Sequence, residues 1–338
     1  MPKTRIAVVG AGSFGRNHLR VIRESGRAEL AAVVDTDEAR AREAASQYSC
    51  PALTNIEDLA GRVDAAIVST PTTTHVSVGC ALLEAGIDVL VEKPIAADPA
   101  SAQRLIATAR RTGRILQVGH LERFNPAVMA LERIVRLPLF FEIHRLSVFT
   151  PRSLDVDVVL DLMVHDIDIV LTLVGNAPEE IRAAGICILS QKVDIANVRL
   201  AFPGGCVANL TASRVSTERV RKLRLFQPRQ YISLDYERRD VSAFSVSGER
   251  QISLDRLPVE KAEPLRLEVE SFLQCVEHRQ PPRVTGEQAC LALEVAAAIL
   301  VKIEEHSRVV TESIKAAQSS ESASSGSASA TSGTYRTS

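Results

Sequence analysis

The chain has 338 residues, 46% hydrophobic and 24% charged, with a formal net charge of −1. That is the balance of a globular protein long enough for two cores. A chain so near neutrality is not built for general nucleic-acid binding, and no apolar run approaches the roughly 18 residues of a membrane span.

The opening MPKTRIAVVGAG is expected to be part of the fold rather than a signal peptide, because its short apolar run passes straight into a glycine loop. Residues 5–9 (RIAVV) suit a buried parallel strand. A helix is expected over 14–25, a strand over 29–35, a helix over 37–48 and a strand over 63–70. The pattern continues with a helix over 74–86, capped by Gly86, a strand over 88–94, a helix over 99–112 and a strand over 114–119. Regular alternation of strand and helix implies a parallel sheet covered by helices.

After about residue 122 the rhythm changes. Helices are expected over 126–136, 158–174, 264–278 and 286–305. Strand-like runs lie at 140–149, 180–189, 192–202, 206–214, 222–227 and 230–236, with turns at Gly204, Gly205 and Pro228. The fold class is therefore α/β: a doubly wound parallel sheet in residues 1–122, then an α+β domain in 123–312 with a mostly antiparallel open sheet. The last 20 residues hold nine serines, and 313–338 is expected to be disordered. Six cysteines (50, 80, 187, 206, 275 and 290) form no CxxC pair or Cys/His cluster, which fits a reducing cytoplasm without disulfides or structural zinc.

Three features carry chemistry. VVGAGSFG places Gly10, Gly12 and Gly15 as GxGxxG between a strand and a helix, with Ser13 and Phe14 inside the loop. Gly10 permits the turn, Gly12 lets the backbone approach a pyrophosphate, and Gly15 lets the helix pack closely. Asp35 ends the second strand, where a carboxylate accepts from the adenine ribose and repels a 2′-phosphate; Thr36 and Asp37 offer no arginine, so NAD is expected over NADP. The alternative is an ordinary glycine turn followed by a strand-end acid. Second, VEKP puts Glu92, Lys93 and Pro94 at the carboxyl end of a strand, where ligands of open α/β sheets bind. Pro94 keeps Lys93 extended, able to hydrogen-bond a hydroxyl and stabilise alkoxide charge; a surface lysine is the alternative. Third, LDLMVHDIDIVLTLV is mostly apolar, yet Asp161, His165, Asp168 and Thr172 fall on one helical face. Such a stripe suits acid–base work, with His165 as base and Asp161 orienting it. A structurally satisfied core histidine is the alternative, and no third ligand at useful spacing supports a metal.

Together VVGAGSFG, STPTTTH (69–75), VEKP, GHLERFNP (119–126) and LDLMVHDID (160–168) resemble the Gfo/Idh/MocA oxidoreductases over residues 4–310. The resemblance implies Lys93, Asp161 and His165 as the catalytic group. It implicates Thr70, Pro71, His75 and Glu92 in the cofactor cleft, and Arg123, of an element that also holds Phe124 and Pro126, at the domain junction near cofactor and substrate. Within the family, the pattern is most similar to the branch that oxidises the 3-hydroxyl of UDP-N-acetylglucosamine for lipid A or surface glycans. Arg214, Arg221 and Lys222 are then candidates for a UDP pyrophosphate. DVDVV (155–159) departs from the glycine pair many relatives have before this helix, and the absence of tryptophan leaves no indole to stack on sugar or base. A free polyol dehydrogenase and a non-catalytic NAD sensor remain alternative readings. The family also implies a homodimer or tetramer, formed through the open sheet face.

Overall fold

The computed structural model describes residues 3–150, 156–248 and 251–326. The N-terminal part alternates as expected: β1 (Thr4–Val9), α1 (Ser13–Ser25), β2 (Ala28–Val34), α2 (Glu38–Tyr48), β3 (Ala52–Leu53), β4 (Ala65–Val68), α3 (Thr72–Glu84), β5 (Asp88–Glu92), α4 (Pro99–Thr112) and β6 (Leu116–Gly119). All six strands are parallel, in the order β3-β2-β1-β4-β5-β6. The order reverses between β1 and β4, which opens a crevice at their carboxyl ends. β4 and β5 are buried along their whole length because helices cover both faces of the sheet.

The second part comprises α5 (Pro126–Ile134), β7 (Phe140–Val148), α6 (Val164–Val174), β8 (Glu180–Ile186), β9 (Ile195–Ala201), β10 (Val207–Ser216), β11 (Val220–Gln227), β12 (Gln230–Asp235), β13 (Asp240–Val246) and β14 (Ile252–Arg256). They form one eight-stranded sheet, β14-β13-β12-β11-β7-β10-β9-β8, in which only β7 and β10 pair in parallel. Burial alternates along β9 and β12, since one face meets helices and the other is open. The open face carries a ladder of Phe226, Tyr231 and Phe244, with ring centroids 4.9 and 5.5 Å apart.

Two helices complete the chain, α7 (Pro264–His278) and α8 (Gly286–Gly326). α7 returns to the first part, where Val269, Phe272 and Leu273 share a core with Ile6, Val8 and Leu19. Several expectations need correction. β3, β13 and β14 were not expected; in VSAFSV two serines interrupt the apolar residues without a strict alternation, which left the strand unread. The helix expected over 158–174 begins with a π-turn, Val159–Met163, before α6. The tail expected to be disordered from 313 continues α8 to Gly326, because extending an existing helix through Ala, Glu, Lys and Gln is far easier than nucleating one. Residues 327–338, and position 155 of DVDVV, lie outside the described residues. No helix among the described residues is long and apolar enough to cross a membrane.

Candidate active site

The crevice at β1 and β4 is shaped by glycine. Gly10 has φ +95°, and a Cβ there would stand 2.7 Å from the carbonyl oxygen of Ser69. A Cβ on Gly15 would lie 1.8 Å from the Gly10 carbonyl oxygen, so only glycine lets α1 start this close to the turn. Nothing stands within 4 Å of the Cβ position of Gly12, which leaves its backbone open to a phosphate. Asp35 is buried, accepting from Ala11 N at 2.8 Å and Asp37 N at 2.9 Å, so its carboxylate is fixed at the rim of this loop. A groove of about 600 Å³ runs past Gly12, Ser13, Asp37 and Arg40. These residues fit a dinucleotide: amides at a helix start, room beside them, and a strand-end acid. The sequence reading missed Arg40, which the first turn of α2 brings within 3.5 Å of both Asp35 oxygens.

Lys93 projects from the end of β5. Its Nζ donates to the Asp161 carbonyl oxygen at 2.9 Å and stands 3.6 Å from the Asp161 carboxylate. Burial pushes the Lys93 ammonium below its ordinary pKa, opposed by Asp161 and Glu92. Lys93 and Asp161 face a cavity of about 360 Å³ with Thr72, Asp157, Leu160 and Lys192. His165 lies one turn further on, half-buried. Burial, then the charges of Lys93 and Arg145, holds its pKa well below the ordinary value, so the ring is neutral and can accept a proton. Its Nδ1 is buried without a hydrogen-bond partner among the described residues.

The expected orientation of His165 by Asp161 is not what the structure has. The i→i+5 bonding of the π-turn displaces Asp161 from the stacked i, i+4 position and turns it to Lys93. Asp168 and Thr172 also leave the cleft: they bind Arg123, at 3.5 Å and 2.5 Å. Arg123, expected at cofactor and substrate, is buried and also donates to the Arg283 carbonyl oxygen at 3.3 Å, so it ties the domain junction together. His75, expected in the cofactor cleft, is braced behind it between the carbonyls of Thr70 and Pro94, each at 2.9 Å; Thr70 and Pro71 themselves border the Gly10 turn through Ser69. Glu92 turns inward to His18 at 2.6 Å. Arg214, expected at a pyrophosphate, binds the Val156 carbonyl oxygen and pairs with Asp194, steadying the segment that leads to the π-turn. Lys222 is exposed on the open sheet face, because strand side chains alternate.

Arg221, one residue earlier, shares the cleft-side face with Leu223 and Leu225. It lines a second cavity, of about 560 Å³, with Phe14, Asn17, Arg219 and Tyr236. Beneath both cavities lies a network that the sequence reading did not assign. Arg145 is buried, with Nε and Nη2 each donating to an Asp166 oxygen at 2.7 Å, Nη1 to Glu122 at 3.0 Å, and its guanidinium 4.9 Å from the Tyr236 ring centroid. His120 stands edge-on to His165, centroids 6.4 Å apart, and burial lowers its pKa too. GHLERFNP and LDLMVHDID contain His120, Glu122 and Asp166, but these went without a role, and Arg145 and Tyr236 carried no signal.

Comparison with known proteins agrees with this geometry. Residues 4–120 match the oxidoreductase family with an NAD-binding Rossmann fold, and residues 140–231 match the GFO/IDH/MocA C-terminal domain. The chain belongs to the Gfo/Idh/MocA oxidoreductase family, whose cofactor is NAD and whose relatives are dehydrogenases acting on CH–OH groups. It is 34% identical over 306 residues to a UDP-N-acetylglucosamine 3-dehydrogenase of Acidithiobacillus ferrooxidans, covering 89% of this chain and 97% of that one. The solved structure of that enzyme superposes with a TM-score of 0.85 at 33% identity, over 90% of this chain and 99% of the other. An inositol 2-dehydrogenase of Rhizobium meliloti is 24% identical over 325 residues, 90% of this chain and 98% of its own.

Proposed function

We propose that this protein oxidises the 3-hydroxyl of UDP-N-acetylglucosamine to a ketone. The observation that carries the reading is the 34% identity to the UDP-N-acetylglucosamine 3-dehydrogenase along 97% of that enzyme, which includes the sugar side of the cleft. The residues support the chemistry. Gly10, Gly12, Ser13, Gly15, Asp35, Thr70 and Pro71 form the cofactor side, in a domain spanning 1–122. Residues 123–312 form the substrate and assembly domain, except that α7 packs back onto the first sheet.

NAD⁺, held by the Gly10–Gly15 loop and Asp35, would supply the hydride acceptor. The neutral His165 takes the hydroxyl proton, and the half-buried Lys93 ammonium, steadied by Asp161, holds the oxygen as its charge develops. Arg221 and Arg219, with Phe14 beside them, give the second cavity the donors for a diphosphate. The product is a 3-keto sugar, a substrate for amination toward lipid A or surface glycans. The apolar open sheet face, where Ile252 and Leu254 are 75% and 56% exposed, supports a homodimer or tetramer. All six cysteines are free, which agrees with a cytoplasmic setting.

A free polyol is the second reading, favoured by the likeness to the inositol 2-dehydrogenase. UDP separates the two. A nucleotide-sugar site binds UDP and raises the melting temperature, by about 2.7 kcal/mol of stabilisation at 100 times Kd, whereas a polyol site ignores it. Turnover of inositol with no UDP effect would overturn the proposal. A monomer mass by light scattering would overturn the assembly.

A further inference from the structure

Behind the catalytic lysine, three buried side chains converge. His18 lies on the inner side of α1, Glu92 ends β5, and Glu268 lies in α7; they are 0%, 7% and 0% exposed. One nitrogen or oxygen from each lies within 4.8 Å of the others. His18 Nε2 and Glu92 Oε1 are 2.6 Å apart, a hydrogen bond and closer than two donors stand around one cation. Glu92 also faces the backbone N–H of Lys93, at 3.3 Å. Both carboxylate oxygens of Glu268 are buried without a hydrogen-bond partner among the described residues. Burial first, and Glu92 second, pushes the Glu268 carboxyl well above its ordinary pKa.

Two carboxylates this close and this buried do not both ionise. Glu92 has the ring of His18 and an amide to stabilise its charge; Glu268 has neither, and Glu92 lies within 4.8 Å of it. The charged and titratable groups around Glu92 are His18 from α1, Lys93 next in the chain, and His120 after β6. We propose that Glu268 is an uncharged carboxylic acid packed beside Glu92, and that this pair, closed by His18, holds Lys93 in register with the glycine loop. The geometry gives the three residues that reach: α1 begins at the glycine loop, β5 ends at Glu92 just before Lys93, and α7 clamps both. β6 presses from the other side, since a Cβ on Gly119 would stand 2.9 Å from Glu92 Oε2. His18, Glu92 and Glu268 are thus positioning residues. Their kinetic part rests on the reading of Lys93 above; the protonation of Glu268 does not.

Infrared spectroscopy tests the protonation. At neutral pH the wild-type protein should show the carbonyl stretch of a buried carboxylic acid, shifted by isotope-labelled glutamate and lost in Glu268→Gln. Absence of that band, or one equivalent of bound metal by elemental analysis, overturns it. Kinetics test the positioning. Glu268→Gln, which keeps the size and the uncharged polar head of the acid beside Glu92, should keep about tenfold more kcat than Glu268→Leu, at similar KM for the sugar. Equal losses in the two variants, or a loss confined to KM, overturn the positioning. If Lys93→Met were fully active, the reading of Lys93 would fail while the infrared result stood.

Discussion

Asp35→Asn tests whether the charge of Asp35 selects NAD over NADP. Asp35 is buried and already accepts from two backbone amides, so asparagine preserves its shape and one acceptor. A 2′-phosphate placed at ~4 Å from the carboxylate would meet a repulsion of about 4 kcal/mol at an effective dielectric of ~20. Arg40 changes role in the variant. At present its guanidinium stands 3.5 Å from Asp35 and 3.3 Å from Asp37, so its charge is largely met. Once Asp35 is neutral, Arg40 can turn to a phosphate. Removing the repulsion alone is worth about a thousandfold, at 1.4 kcal/mol per factor of ten. Loss of charged hydrogen bonds to the ribose lowers NAD⁺ binding by about 1.5–3 kcal/mol. The ratio of kcat/KM for NAD⁺ over NADP⁺ should therefore fall by at least about a hundredfold, read at constant sugar and ionic strength. A ratio unchanged within threefold would show that Asp35 does not face the ribose, and the cofactor placement would fail with it.

Other perturbations read other parts of the fold. Arg145→Met strands the buried carboxylate of Asp166 and the half-buried one of Glu122 and should cost about 3–5 kcal/mol in urea unfolding; a loss under 1 kcal/mol would mean that they protonate or hydrate without penalty. Gly15→Ala drives a methyl into the Gly10 carbonyl, so the melting-temperature rise with NAD⁺ should disappear. Because the His165 pKa is depressed in the folded state, the ring stays neutral at pH 7 and kcat/KM should fall on acidification, with its limb below about pH 6.5. The same shift makes stability fall as pH drops below the unfolded value of about 6.5, since the unfolded ring takes up a proton that the folded one refuses. His165→Gln should flatten that part of the stability profile, and an unchanged slope would exclude the ring as its source.

Much of the first domain was legible because its physics is local. A β-branched run, a glycine turn and a strand-end acid each declare themselves within a few residues, and the structure assembles Gly10, Gly12, Gly15 and Asp35 around one crevice. Lys93 was legible for a similar reason: a strand end fixes where its side chain emerges. Spacing misled where the backbone is irregular. The stripe of Asp161, His165, Asp168 and Thr172 assumed α-helical geometry, and the π-turn divided it between Lys93 and Arg123. Arg214, Arg123 and Lys222 show a second limit. An arginine in sequence does not reveal whether a carboxylate from a distant segment already holds it, as Asp194 holds Arg214 and Asp168 holds Arg123. Glu268 and Arg145 carried no local signal, because their meaning arises only when separate elements meet.

The return of α7 onto the first sheet has a consequence for biosynthesis. Val269, Phe272 and Leu273 are fully buried against strands made about 260 residues earlier. At ~5–20 residues per second, roughly 7–30 s separate emergence of β6 from emergence of α7. For that interval the nascent cofactor domain exposes the apolar seat of a helix not yet made. A ribosome stalled near residue 122 should therefore display a sticky intermediate that chaperones recognise, and one stalled well past residue 278 should not.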